Sequence, residues 1–452
     1  MPFVRDHTAL FSSAWTWNQP VNGAITARPV FLTYSFADER PPRNDGIAYD
    51  DPDYFRTLDG GERALFRQAL DAWAEVSGIT FLEAPSGMGN IEVGVYDLDD
   101  FTAGQGSYPF SMFFQDVNGY HLYSPGDGYN GIWLDKDGGV DLHVMLHEIG
   151  HRLGLEHPHD GSEPQLAPDL DTGANTVMTY NGSPTELGVF DIRAIQALYG
   201  SPTSDGTQVS SWHWDASSFT LTQRGTSRAE PLIGTGAHDI IYGLGGADVV
   251  IADSGNDRIY ISGQKFAVAG GTGFDILDVD FGRGAIRSVM GSGDNRYLLG
   301  ASNNPNDMHM TEIERVEFID WTLAFDVDGF AGQAYRLYQA AFDRAPDVEG
   351  LGYWIRELDA GLGDLAWMAN NFIISEEFRD TYGSPSTVSN QAFLDLLYGN
   401  VLDRAPDAQG YSYWMAELER GFGRERVLAS FSESVENQGN VSAQISDGIW
   451  YV

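Results

Sequence analysis

The 452-residue chain has no cysteine. That excludes disulfides, thiolate zinc ligands and a cysteine nucleophile. Positive charge is scarce: 26 Lys and Arg stand against 65 Asp and Glu, a formal net charge of −39, and the lysines are Lys136 and Lys265 alone. Nucleic-acid backbone binding needs clustered cations and is excluded as a main activity. A chain this acidic repels itself unless cations bind it, so divalent ions are expected partners. The first residues lack a basic start followed by an apolar run, so an ordinary signal peptide is not expected. No apolar stretch reaches the ~18–20 residues of a spanning helix, so no membrane span is expected either. Hydrophobic residues make up 42% and aromatics 13%, enough to build folded cores, and the length suits two to four domains.

Residues 29–36 read as a strand, and Ala64, Leu65, Ala69, Leu70, Trp73 and Val76 recur at helical spacing over 61–77. Short strands near 80–83 and 91–96 and a closing helix over 191–199, stopped at Gly200, imply a mixed α/β domain over 29–200. Residues 1–28 form an extension or possible pro-segment, and the Ser/Thr/Gly-rich stretch 201–231 reads as a linker. A short period follows over 232–328. Asp239, Asp248, Asp257 and Asp275 share a nine-residue register with Phe266 in the missing slot, and Ile241, Val250, Ile259, Val268 and Leu277 lie two residues after each point. Gly234, Gly236, Gly243, Gly245, Gly255, Gly271 and Gly273 cluster just before the aspartates. This resembles the calcium-binding nonapeptide repeat of repeats-in-toxin proteins, which stacks as a parallel β-roll. Glycine allows the tight turn, aspartate offers a hard oxygen to calcium, and the aliphatic residue fills the interior.

A second repeat has a sixty-residue offset: Asp343-Arg344-Ala345-Pro346-Asp347 and Tyr353-Trp354 return as Asp403-Arg404-Ala405-Pro406-Asp407 and Tyr413-Trp414. The pair forms an all-α domain over 329–437 and is similar to helical domains of repeats-in-toxin and surface-layer-associated bacterial proteins. The Asp-Arg-Ala-Pro-Asp segments read as helix starts with Asp caps, and the Tyr-Trp pairs as core. Residues 438–452 form a C-terminal tail whose acidic-then-apolar end resembles an export signal, with a buried terminal strand as the other reading.

The chemistry sits at His147-Glu148-Ile149-Gly150-His151, followed by Gly154, His157 and Pro158. On a helix, His147 and His151 lie four apart and face one point. Glu148, one residue along, can reach a water at that point without ligating the ion, as a general base must. Gly154 can end the helix and return His157 to the site. Three imidazoles with an open fourth position define catalytic zinc. Chance is a poor explanation, because the composition gives roughly 8 × 10⁻⁵ expected matches to this extended pattern. His143, His159 and the remaining histidines read as structural or solvated.

Downstream, Met178 and Tyr180 lie in Asn-Thr-Val-Met-Thr-Tyr. This resembles the methionine turn of metzincin metallopeptidases. Pro158 and Tyr180 together resemble the serralysin family of that clan. The resemblance implies an α/β metzincin protease domain, a calcium-binding parallel β-roll and an added all-α domain. It implies one catalytic zinc on His147, His151 and His157, Glu148 as base, Met178 as support beneath the metal, and Tyr180 as a movable ligand that stabilises the tetrahedral intermediate. It further implies protein or peptide substrates, type I export, and an extracellular or cell-surface location around a Gram-negative bacterium. The alternative is a calcium-dependent surface or surface-layer binding protein with secondary or lost peptidase activity, acting through 329–437.

Overall fold

A computed structural model describes residues 3–10, 16–17, 27–40, 49–98, 104–106, 111–115, 121–125, 131–138, 140–159, 164–204, 206–262, 266–293, 295–300 and 307–452. They divide into two compact units, 1–278 with 294–313 and 279–293 with 314–452.

The first unit is built on a mixed sheet in the order Ile79–Glu83, Val30–Phe36, Ile91–Leu98, Gly131–Asp135, Gly104–Gly106. The first four strands are parallel and the last is antiparallel. Every residue of Val30–Phe36 is buried, as expected of a parallel strand covered on both faces. The helix Gly60–Ala74 starts at a capping box in which Asp59 caps and Glu62 reciprocates. Its buried face is Phe66, Ala69, Leu70 and Trp73. Ala64, one of the apolar residues at helical spacing, is exposed. The larger Phe66 fills the sheet-facing position, so the helix is phased to bury more apolar area.

Within the stretch expected as a possible pro-segment, residues 3–10 pack on the first unit and Ala9 and Leu10 join its core. Phe3–Val4 pairs with Gln165–Leu166, and Leu10 is fully buried. The backbone N–H of Glu156 donates to the Leu10 carbonyl at 2.6 Å. Leu10 thus fills a core position next to the Glu156 backbone.

The stretch 201–231, expected as a linker, opens the roll instead. Thr220–Arg224 runs parallel to His238–Tyr242, which runs parallel to Arg258–Ile261, while Pro231–Thr235, Val249–Asp253 and Phe266–Ala269 form the facing sheet. The register pairs Thr220 with His238 and Leu232 with Val250, so one full turn is two nine-residue repeats. Ile241, Val250, Ile259, Val268 and Leu277 are all fully buried, as the repeat requires. Roll and mixed sheet share one unit because Pro231–Thr235 packs on Val30–Phe36 and the Gly236 N–H donates to Asn90 Oδ1 at 3.0 Å.

In the second unit, each sixty-residue repeat supplies four helices: Phe330–Phe342, Val348–Asp359, Leu365–Ile373 and Glu376–Tyr382, then Asn390–Asn400, Ala408–Glu419, Arg424–Ser432 and Val435–Ile445. The Asp-Arg-Ala-Pro-Asp loops are helix starts: Asp347 and Asp407 each accept a backbone N–H at 2.7 Å, from Gly350 and Gly410. Pro346 and Pro406 precede the cap rather than open the helix. Of each Tyr-Trp pair only the tryptophan packs inward, Trp354 against Phe372 and Trp414 against Phe431, whereas Tyr353 and Tyr413 are exposed. The boundary expected at 437 falls inside Val435–Ile445, and Ile449–Tyr451 pairs with Thr322–Ala324. Ile449 and Tyr451 are buried in the helical core, so the last residues form a terminal strand instead of a free tail. Among the described residues no helix is long and apolar enough to cross a membrane.

Candidate metal centre

The helix Leu142–Arg152 is capped by Asp141, whose side chain accepts the Val144 N–H. It ends where Gly154 takes φ +94°, a conformation costly for any residue with a Cβ. The Leu155 N–H folds back to the Gly150 carbonyl at 2.9 Å, and the reversed chain delivers His157. The Nε2 atoms of His147, His151 and His157 then lie 3.1, 3.1 and 3.0 Å apart.

Two second bonds orient these rings. His147 Nδ1 lies 2.8 Å from the Val177 carbonyl, and His151 Nδ1 lies 2.8 Å from the Leu155 carbonyl. A carbonyl only accepts, so each Nδ1 carries the proton and each Nε2 presents a lone pair. Converging lone pairs repel unless a cation sits between them. Four tetrahedral ligands at ~2.0–2.1 Å from zinc stand about 3.3 Å apart, close to the observed triangle, so the residues fit zinc. Burial pushes the pKa of His147 down to about 4 and that of His151 well below the usual histidine range, and the neighbouring imidazoles add to both shifts. Neutral rings are the metal-binding form.

Glu148 is buried on the same helix, and Gly104 of the edge strand passes close: a Cβ there would stand 3.1 Å from Glu148 Oε1. Met178 is fully buried beneath the helix, where a Cβ on Gly150 would stand 2.5 Å from its Sδ and 3.3 Å from Trp73. Gly150→Ala is therefore expected to lower stability by about 1–3 kcal/mol through overpacking and to weaken metal retention, as measured by thermal melts and chelator competition. Tyr180 is 67% exposed, so it is not a core tyrosine. Its ring centroid lies 4.6 Å from that of His157 and 5.9 Å from that of His147. Pro158 is buried, and its carbonyl accepts the Leu166 N–H at 2.9 Å, tying the His157 loop to the strand Gln165–Leu166. His143 stays outside the triad, with its Nδ1 3.1 Å from the Pro184 carbonyl.

Two residues escaped sequence reasoning. Asp191, in the closing helix Val189–Tyr199, accepts from Thr176 Oγ1 at 2.5 Å and from the Val177 and Gly188 N–H groups at 2.8 Å. It thereby holds the segment whose Val177 carbonyl orients His147. Burial pushes its carboxyl up to about 6 against those bonds. A helix-starting acid at the third position is a common capping signal, so nothing local marked this one. His159, expected in solvent, stacks on His157 with ring centroids 5.5 Å apart and contacts Tyr180 at 4.8 Å. Its Nδ1 is 3.4 Å from Asp171. Only the fold of the loop brings it there.

In the roll, Asp239, Asp257 and Asp275 stack along one edge: Asp257 accepts the Asp239 N–H at 2.7 Å, and Asp275 accepts the Asp257 N–H at 2.8 Å. Asp248 accepts the Glu230 N–H at 3.1 Å, a full turn earlier. Glu230 occupies the register point nine residues before Asp239 and was overlooked because it is not an aspartate. One carboxylate oxygen each of Asp239, Asp248 and Asp257 is buried and accepts no hydrogen bond from the protein. Buried acceptors of that kind fit hard cations such as calcium. Gly243 leaves room beside Asp248, where a Cβ would stand 2.8 Å from Oδ2. Gly245, Gly255, Gly271 and Gly273 take positive φ. A Cβ on Gly234, Gly255, Gly271 or Gly273 would collide with a carbonyl of the neighbouring turn, at Ala252, Ala237, Asp253 and Gly255 respectively. Gly236 serves a different purpose, since its close neighbour is the backbone at Gly89–Asn90, just before the strand Ile91–Leu98.

Comparison with known proteins agrees with this arrangement. Residues 59–200 match the matrixin family, 224–259 the RTX calcium-binding nonapeptide repeat, and 369–441 a domain of unknown function, DUF4214. The chain is 28% identical over 202 residues to serralysin of Photorhabdus laumondii, covering 38% of each chain. It is 28% identical over 285 residues to serralysin G of Dickeya chrysanthemi, covering 57% of this chain and 56% of that one. Metalloprotease AprA of Pseudomonas entomophila is 25% identical over 301 residues, with 60% and 59% covered. The chain thus spans roughly two fifths to three fifths of the length of these relatives.

Proposed function

We propose, from a chain that joins a matrixin-type peptidase segment to repeats-in-toxin calcium repeats in the manner of the serralysins, that the protein is a zinc endopeptidase cleaving proteins outside a Gram-negative cell. The observation that carries this reading is the triangle of Nε2 atoms 3.0–3.1 Å apart beside a buried Glu148. His147, His151 and His157 would hold zinc, which when bound supplies Lewis acidity toward a peptide carbonyl and lowers the pKa of a water to about 7. Glu148 accepts the proton of the attacking water and passes it to the departing amine. The Tyr180 hydroxyl, above the triad, donates to the oxygen on which charge develops. Met178 packs under the helix and keeps the ligands in place. Asp239, Asp248, Asp257 and Asp275 would hold calcium with carbonyls of the glycine turns, and the roll suits type I export by folding where calcium is plentiful.

Metal analysis with an assay on denatured casein tests the reading. About one zinc per chain is expected, with loss of cleavage on o-phenanthroline treatment and recovery on adding zinc. A surface-binding protein without peptidase activity, acting through 329–437, would leave casein intact in every arm, and that result would overturn the enzyme reading.

A further inference from the structure

Arg152 directly follows the ligand His151, yet it is a fully buried cation in the protease-type core. Its Nη2 donates to the Asn90 carbonyl at 2.8 Å, and its guanidinium lies 4.5 Å from the Trp17 ring. Trp17 in turn donates through Nε1 to the Arg152 carbonyl at 2.8 Å. Asn90 is a hub: its N–H donates to Thr33 Oγ1 at 3.0 Å, and its Oδ1 accepts from the Thr33 and Gly236 N–H groups at 2.9 and 3.0 Å. Its Nδ2 donates to Asp253 Oδ2 at 2.6 Å. Gly236 and Asp253 belong to two turns of the roll, whereas Asn90 directly precedes the sheet strand Ile91–Leu98 and Arg152 ends the histidine helix.

Asp253 is not where a repeat would place an aspartate. It occupies the slot four residues before Asp257, the position that Leu244 and Gly271 hold before Asp248 and Asp275. All three take positive φ: 59° at Leu244, 83° at Asp253 and 104° at Gly271. Glycine is the low-cost residue there, and a side chain costs on the order of 1 kcal/mol. Leu244 is exposed, but Asp253 is 5% exposed and turned into the protein. A strained, buried carboxylate persists only when its surroundings hold it there. Its partners are the Asn90 amide and the opposite charge of Arg152, whose attraction partly offsets the burial that pushes Asp253 up to about 7 and Arg152 down to about 9.

We propose that Asp253, Asn90 and Arg152 form a buried latch through which the roll fixes the C-terminal end of the histidine helix, so that Asp253 and Arg152 are positioning residues for the metal centre. This rests on the reading that the histidine triad binds zinc. The helix ends at Arg152, and His157 returns from the turn just beyond it. Play at Arg152 therefore moves two of the three ligands relative to each other.

Asp253→Gly separates the latch from a plain turn. If Asp253 only makes a turn, glycine relieves the positive φ and the variant is as stable as wild type or more so. A latch makes the same change harmful. In the full-length protein, Asp253→Gly is expected to raise the zinc dissociation constant about tenfold, measured by chelator competition, and to lower kcat with KM within twofold of wild type. Asp253→Asn, which tolerates the same backbone and keeps the shape, gives a smaller loss in the same direction and serves if the glycine variant does not fold. Arg152→Met weakens zinc similarly, and combining it with Asp253→Asn adds little, because each has already broken the same link. Wild-type zinc affinity in both Asp253 variants, or losses that simply multiply in the double variant, would overturn the latch while leaving the peptidase reading intact. A wild-type chain that binds no zinc would overturn both.

Discussion

Glu148→Gln is expected to lower kcat for casein cleavage on the order of 10³-fold while zinc stays bound. Glutamine keeps the size and hydrogen-bonding reach of the side chain but cannot take up a proton. The three histidines are unchanged in this variant, and His147 and His151 keep their bonds to the Val177 and Leu155 carbonyls. Zinc per chain, melting temperature and kcat are measured together. Cleavage within tenfold of wild type would assign the base elsewhere, whereas loss of zinc along with activity would show that Glu148 has a structural share in the centre.

The second large effect concerns calcium and pH. Burial raises the carboxyls of Asp239, Asp248 and Asp257 above the usual range, Asp248 to about 7. Asp239 and Asp257 also repel one another through the stacked edge. Folded pKa values above the unfolded value of about 3.9 mean that the calcium-free fold binds protons more tightly than the unfolded chain. Its stability is greatest below about pH 4 as far as these groups are concerned, and is lost as pH rises, through about 7 for Asp248 and about 8 for Asp239. With calcium removed by a chelator, the roll is therefore expected to melt higher at pH 5 than at pH 8, by on the order of 5–10 °C. Added calcium reverses the order, since it binds the ionised carboxylates and stabilises by mass action. Circular-dichroism melts in the four combinations check this. A calcium-free protein more stable at pH 8 would show that the carboxylates are satisfied without a cation.

The edges of the roll contribute unequally to that effect. Asp239, Asp257 and Asp275 follow one another a full turn apart, so a cation between neighbouring turns finds a carboxylate on each side. On the other edge Phe266 replaces the next aspartate after Asp248 and is buried in the strand Phe266–Ala269. Beyond Asp248 that edge therefore continues with a buried aromatic ring and not with a carboxylate.

The histidine triad was legible in the sequence because helical geometry alone puts His147 and His151 on one face, and because Gly154 is the residue type that lets a chain turn back. The roll was legible for the same kind of reason: a nine-residue register repeats whatever surrounds it, and its aliphatic positions are all buried. Both are properties of short, periodic stretches.

What periodicity does not carry is which distant surface an element meets. That Phe66 rather than Ala64 faces the sheet, that Leu10 fills the core next to the Glu156 backbone, and that Ile449–Tyr451 completes a strand pair were all settled by long-range packing. So were the Asp191 hold on the methionine turn and the place of Gly236 against Asn90. Such partners lie from 14 to 146 residues apart, and their free energy comes from burial and hydrogen bonding that exist only once the chain has folded. The sequence by itself determined the chemistry this protein can hold. The tertiary structure decided how rigidly it is held, and by which parts of the molecule.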